Sequence, residues 1–119
     1  MLRGKLTQII LFVKDMKKAV NFYHNLIGLD LVNPEDPQKD YSDEMWVELD
    51  AGEFTLALHG GASEHVEKTH SLIFSVSDLE AARQEILNSG IKIGEIRILE
   101  DGSSIAEGVD SNGHRFGIR

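Results

Sequence analysis

The chain has 119 residues, 41% apolar and 27% charged, which fits one ordinary globular domain and excludes a disordered segment. Its net charge of −8 argues against nucleic acid as a partner, because phosphate binding needs a cationic surface. It has no cysteine, which excludes disulfides and thiolate metal ligands and suits the reducing cytoplasm. The acidic balance is compatible with a cationic small molecule, and equally with a need for solubility alone. At this length folding buries roughly two thirds of the unfolded surface, enough for a real core.

The first predicted element is a strand from Leu6 to Val13. Its apolar run, Ile9 to Val13, is too short for a signal-peptide core or a membrane span. The expectation is a soluble cytoplasmic protein with no membrane partner. Asp15 then stands where a helix needs an N-cap, since its carboxylate can accept from free backbone N–H groups. The spacing of Ala19, Phe22, Tyr23 and Leu26 predicts a helix from Met16 to Leu26 with one buried stripe. Gly28 supplies the left-handed stop. Strands follow at Leu29 to Val32, Met45 to Asp50 and Glu53 to His59. Segment 33–44 is a loop by composition, and Asp50-Ala51-Gly52 is a hairpin turn.

Segment 60–70 is a polar connector, and beyond it the pattern repeats. A strand from Ser71 to Val76 precedes a helix capped by Asp78, or by Ser77 with Glu80 in a capping box. Leu79, Ala82, Ile86 and Leu87 form its stripe and Gly90 its stop. Strands are predicted at Ile93 to Leu99, Ser103 to Val109 and Arg115 to Ile118, with turns at 101–102 and 111–113. With Asp15 placed on Asp78, Val13 falls on Val76 and Ala19 on Ala82. The chain therefore reads βαβββ twice, an α+β fold in one domain. Module one spans about 5–60, the linker about 61–70 and module two about 71–119. A sheet with one helix leaves its other face open, so two such modules are expected to associate, each giving half of a curved wall.

Three stretches, FVKDMKKAVNFYHNLIGL, FSVSDLEAARQEILNSG and GVDSNGHRFGI, carry a resemblance that covers essentially the whole chain. The pattern resembles the vicinal oxygen chelate superfamily, the glyoxalase, bleomycin-resistance and extradiol-dioxygenase group. The last stretch looks like that family's Asp-Pro-Asp-Gly turn, with Ser111 in place of Pro. The fold hosts many activities, so the resemblance implies an architecture and leaves the activity open. It also implies a homodimer in which two equivalent clefts are built by paired modules.

Catalytic members hold a divalent metal with four side chains, and the resemblance maps those positions onto Gln8, Ala57, Ser71 and Gly117. Nickel, zinc, manganese or iron would find no charged ligand there, and Ala57 and Gly117 have no side-chain donor. The expectation is therefore no metal and no other cofactor. His70 lies one residue from Ser71 and should face the other way without a bulge. A relocated set can be drawn only from Gln8, Glu48 and His59. His24, His65 and His114 read as solvated or packing residues.

Strand alternation places Ile9, Leu11 and Val13, and likewise Leu72, Phe74 and Val76, under the helices. The opposite parity faces the expected cavity. It comprises Gln8, Ile10 and Phe12, then Trp46 and Glu48, then Thr55, Ala57 and His59. Module two adds Ser71, Ile73 and Ser75, then Arg115, Gly117 and Arg119. Such a mix of apolar and hydrogen-bonding groups suits a small-molecule site. Trp46, the only tryptophan, either stacks on a planar ligand or fills a core or dimer interface. Glu48 and Glu107 would act as general bases only if buried. The function expected is small-molecule binding of the bleomycin-resistance kind. The alternatives are a glyoxalase- or dioxygenase-like enzyme with relocated ligands, and a non-catalytic partner using the cleft as a regulatory surface.

Overall fold

In the computed structural model, residue 3 and residues 8–36, 38–61, 71–99 and 101–119 are described. The chain divides into two compact units, residues 1–65 and 66–119. Each unit repeats one topology. Unit one runs β1 (Gln8–Phe12), α1 (Met16–Val20), a π-helical segment (Asn21–Leu26), β2 (Asp30–Asn33), β3 (Trp46–Asp50) and β4 (Thr55–His59). Its sheet order is β1-β4-β3-β2, with β1 parallel to β4 and the other pairs antiparallel. Unit two runs β5 (Ser71–Phe74), α2 (Leu79–Asn88), β6 (Lys92–Ile93), β7 (Arg97–Ile98), β8 (Ser104–Val109) and β9 (Arg115–Ile118). Its order is β5-β9-β8-β6, with β7 also on β8, so the α+β reading and the double βαβββ pattern hold.

Both helices start as their sequences require. The Asp15 carboxylate accepts from Lys18 N at 3.0 Å, and Asp78 accepts from Ala81 N at 3.0 Å. Of the two caps offered at 77–78, Asp78 is therefore the one used. Such a cap stabilises a helix by about 1 kcal/mol over alanine. Gly28 and Gly90 stop the helices at φ 95° and 81°, where a Cβ would be strained.

The helix expected over 16–26 is present, but its second half is wound more loosely. Ile27 N bonds back to Phe22 O at 2.9 Å, a π-type ring. Phe22 and Tyr23 are both fully buried, edge to face at 4.8 Å. In unit two, Ile86 is buried, but Leu87 is 37% exposed and falls outside the predicted stripe. Two other expectations change at the edges, and two stretches are not tested. Leu6 and Thr7 lie outside the described residues, as do residues 62–70 of the connector, including His65 and His70. The strand from Ser71 ends at Phe74, before Val76. The strand expected over 93–99 is broken into β6 and β7, which pair with opposite ends of β8. At that break Gly94 N bonds to Glu107 O at 2.8 Å. A side chain at Gly108 would collide with the Lys92 carbonyl, which is why glycine stands where β6 crosses β8.

The predicted turns form, and each is pinned by an aspartate. Asp50 accepts from Gly52 N at 2.9 Å, and Asp101 from Ser103 N at 2.9 Å. Hydrogen bonds from Ser103 hold the Asp101 carboxyl below its ordinary range. Loop 33–44 is anchored by Tyr41, which is 4% exposed. Its hydroxyl donates to Asp36 O at 2.7 Å, with Pro34 O at 3.2 Å.

Burial pushes the Tyr41 phenol above its ordinary value of 10.0. The folded protein therefore keeps this proton where the unfolded chain loses it. The stabilisation is complete below about pH 10 and declines as pH rises further. Tyr41→Phe should lose about 0.5–1.5 kcal/mol at neutral pH, the value of the hydrogen bonds. It should also show a shallower fall in stability above pH 10. Urea unfolding across pH 7–11 checks both, and parallel curves for the two proteins would remove Tyr41 from the alkaline limb.

Candidate functional site

The face of the first sheet away from its helix is built row by row from strand register. Leu11, Val13, Val47, Leu49, Leu56 and Leu58 are buried on the helix side. Their neighbours face the other way. The hairpin turn at 50–52 sets Asp50 opposite Thr55, Glu48 opposite Ala57 and Trp46 opposite His59. The parallel pairing then sets Gln8 beside Thr55, Ile10 beside Ala57 and Phe12 beside His59. Three rows cross the sheet: Gln8–Thr55–Asp50, Ile10–Ala57–Glu48 and Phe12–His59–Trp46.

The third row is aromatic. His59 lies 5.1 Å from the Phe12 ring at 41°, and 5.9 Å from the Trp46 ring at 86°. Phe12 is 57% exposed, whereas Trp46 and His59 are half-buried. Trp46 Nε1 donates to Glu48 Oε1 at 2.8 Å, along the strand and on one face. This fixes the indole plane and ties the aromatic row to the carboxylate of the row beside it. His59 Nδ1 lies 2.8 Å from Gly60 O. A carbonyl oxygen only accepts, so Nδ1 carries the proton and Nε2 of the neutral ring is an acceptor.

The corresponding face of the second sheet is different in chemistry. Ser71 pairs with Arg115, which is opposite Val109. Ile73 pairs with Gly117, which is opposite Glu107. Glu107 is exposed and ion-paired with Arg97 of β7. A Cβ at Gly117 would lie 2.8 Å from Ile73 Cδ1 and 3.4 Å from Ile105 Cδ1. Two isoleucine methyls thus roof the position where the family resemblance puts a carboxylate ligand. Ala57, its counterpart in the first sheet, is fully buried and offers only a methyl.

The residues singled out from sequence fall on these two faces. Ile10, Phe12, Trp46, Glu48, Ala57 and His59 form one continuous patch, with Gln8 and Thr55 a row further on. Ser71, Ile73, Arg115 and Gly117 share the face of the second sheet. The relocated set of Gln8, Glu48 and His59 is not drawn together. Gln8 sits opposite Thr55, which precedes His59 by about 13 Å along the strand. Among the described residues no cluster of three metal-ligating side chains exists. His24 gives its Nδ1–H to Leu29 O at 2.7 Å. His114 is buried against Asp110, with Nδ1 and Oδ2 3.2 Å apart, and closes the last turn. Sequence reasoning missed the Arg97–Glu107 pair and the Ile105 roof. The hairpin around 101–102 carried the signal for the first, since it brings Arg97 to the strand that holds Glu107.

The family model described as Glyoxalase/Bleomycin resistance protein/Dioxygenase superfamily matches residues 5–116. No curated protein matches the chain in sequence. Among solved structures, the fosfomycin resistance protein FosX of Listeria monocytogenes is similar at TM-score 0.77 and 18% identity, over 98% of this chain and 93% of that one. TnmS3, an antibiotic binding protein from Streptomyces sp. CB03234, is similar at TM-score 0.74 and 18% identity, over 100% and 97%. A lactoylglutathione lyase from Agrobacterium tumefaciens is similar at TM-score 0.71 and 16% identity, over 97% and 92%. At these identities the likeness is one of fold.

The His59 tautomer is directly measurable. Long-range 15N–1H spectra of the neutral protein should show Nδ1 as the protonated nitrogen and Nε2 as the bare one. The reverse assignment would mean that the Gly60 carbonyl does not orient the ring.

Proposed function

The chain belongs to the Glyoxalase/Bleomycin resistance protein/Dioxygenase superfamily, and on that premise we propose that it is a small-molecule-binding protein without the family's catalytic metal. The observation that carries this reading is the aromatic row Phe12–His59–Trp46 with Trp46 oriented by Glu48. An ordered indole on an accessible sheet face is a stacking surface, and neighbouring Glu48, Thr55 and Gln8 supply polar contacts of the kind that fix a ligand's orientation. Members of this fold named for antibiotic binding and fosfomycin resistance point to the same class of ligand, a small antibiotic-like molecule. Binding by sequestration needs shape and burial rather than reacting groups.

The donors argue for the absence of metal. At the positions implied by the family, this chain has an amide, a methyl, a hydroxyl and a bare Cα. None supplies the imidazole, carboxylate or thiolate that a divalent transition ion requires. The space over Gly117 is taken by the methyls of Ile73 and Ile105, and Ala57 is fully buried. The same reading places the protein in the cytoplasm as a homodimer, in keeping with the lack of cysteine and the pairing habit that the family resemblance implies.

A panel of planar antibiotics, glycopeptides and quinones, uncharged and anionic compounds included, tests the binding reading through Trp46 fluorescence. At least one compound should quench or shift the emission saturably, and Trp46→Phe should weaken its binding at least about tenfold by calorimetry. Silence across the panel would overturn sequestration. Native mass spectrometry of protein purified without chelator tests the rest. The expected species is a dimer of twice the 13.3 kDa chain mass with no stoichiometric metal after incubation with nickel, zinc, manganese and iron(II). One tightly held ion per chain would transfer the lead to a glyoxalase- or dioxygenase-like enzyme.

A further inference from the structure

The repeat provides an internal comparison for one charged residue. Glu48 on β3 and Glu107 on β8 occupy equivalent places, opposite Ala57 and Gly117 and next to Ile10 and Ile73 respectively. Glu107 is neutralised within its own sheet by Arg97. Among the described residues Glu48 has no such partner. Ion pairs elsewhere among them include Lys39–Glu44, Arg83–Glu95 and His114–Asp110. Glu48 is half-buried, and among the described residues its hydrogen bond is to the Trp46 indole, which brings no charge.

The surroundings of Glu48 favour one kind of counter-ion. The indole of Trp46 and the rings of Phe12 and His59 present π-systems, whose faces are negative. His59 gives its Nδ1–H to Gly60, so the neutral ring turns no proton from Nε2 toward the face. A bare metal ion would need several oxygen or nitrogen ligands, and no cluster of three exists among the described residues. A neutral ligand without a hydrogen-bond donor laid over this face would strip water from a carboxylate and return nothing to it. An organic ammonium satisfies both parts, its charge meeting Glu48 and its carbon-bound shell meeting the aromatic rings.

We infer that Glu48, with Trp46, Phe12 and His59, seats the cationic head of an organic ammonium ligand on the first sheet. This rests on the small-molecule reading above and narrows it to a charge class and a place. The second sheet lacks both parts of the device, since its carboxylate is already paired and Ile105, Arg119 and Ser75 stand where the aromatic row would be.

The test compares choline with 3,3-dimethylbutan-1-ol, which has the same shape with carbon in place of the charged nitrogen. The readout is the single indole N–H signal in 15N–1H spectra, which belongs to Trp46. Choline should shift it saturably and bind at least about tenfold tighter than the alcohol. Glu48→Gln keeps an oxygen for the indole N–H and removes the charge, so the preference for choline should fall severalfold in that variant to what the rings alone supply. Equal affinities in the unmodified protein, a preference for choline undiminished by Glu48→Gln, or no response to choline would each overturn the ammonium seat. The comparison in the unmodified protein decides the matter even if the variant fails to fold. Failure here leaves the broader reading to the uncharged and anionic members of the antibiotic panel, so the two can fail separately.

Discussion

A four-stranded sheet has two faces, and each unit of this chain has one helix to cover them. Everything distinctive about the molecule follows from that shortage. On the covered face the strands can afford only aliphatic side chains, and Val47, Leu49, Leu56 and Leu58 are buried there almost completely. On the other face, alternation puts a residue of free choice at every second position. Ile10, Phe12 and Ile73 are 43%, 57% and 45% exposed in consequence. A lone apolar residue at a surface needs no explanation, but Phe12 stands in register with His59 and Trp46, so the first sheet carries an aromatic row there.

The two units solve the same problem with different chemistry. They share topology, helix caps and even a glutamate at the same place in the sheet. In the second unit that glutamate is paired with an arginine, and the neighbouring small position is roofed by isoleucines. In the first, the adjacent row is aromatic and the glutamate orients an indole. Duplicated architecture with divergent side chains separates what the fold needs from what it does not. The shared features, caps and buried stripes, belong to folding. The features present in one copy only are free of that duty, which makes the Phe12–His59–Trp46 row the more informative one.

How much of this was legible in the sequence depended on range. Helix starts and turns are local chemistry, so Asp15, Asp50 and Asp101 could be read directly and serve as read, while at the second helix the sequence offers two caps, of which Asp78 is used. Face assignment needed only parity, and the exposures of Ile10, Phe12 and Ile73 agree with it. Antiparallel register followed from the 50–52 turn. The parallel pairing of β1 with β4 did not, because no local turn connects them, and the meeting of Phe12 with His59 could not be foreseen. The π-wound segment keeps the hydrophobic spacing of an α-helix and so left no mark in the periodicity. The break between β6 and β7 lies within a strand-like sequence that does not reveal it. Leu87 is exposed although its spacing suits the stripe that buries Ile86.

The four positions onto which the family resemblance maps metal ligands carry different chemistry in this chain. In a metal enzyme, charged side chains converge from several strands, and the ion compensates for the repulsion and desolvation that gather there. Removing one ligand would leave the others buried and unpaired. Here the change is consistent at all four positions, with no charged side chain left at any of them. Ala57 and Gly117 abandon polarity altogether, so the sheet at those points is packed by methyl groups from its own neighbours. The one carboxylate retained near the aromatic row is not at a ligand position, and an indole holds it instead of an ion.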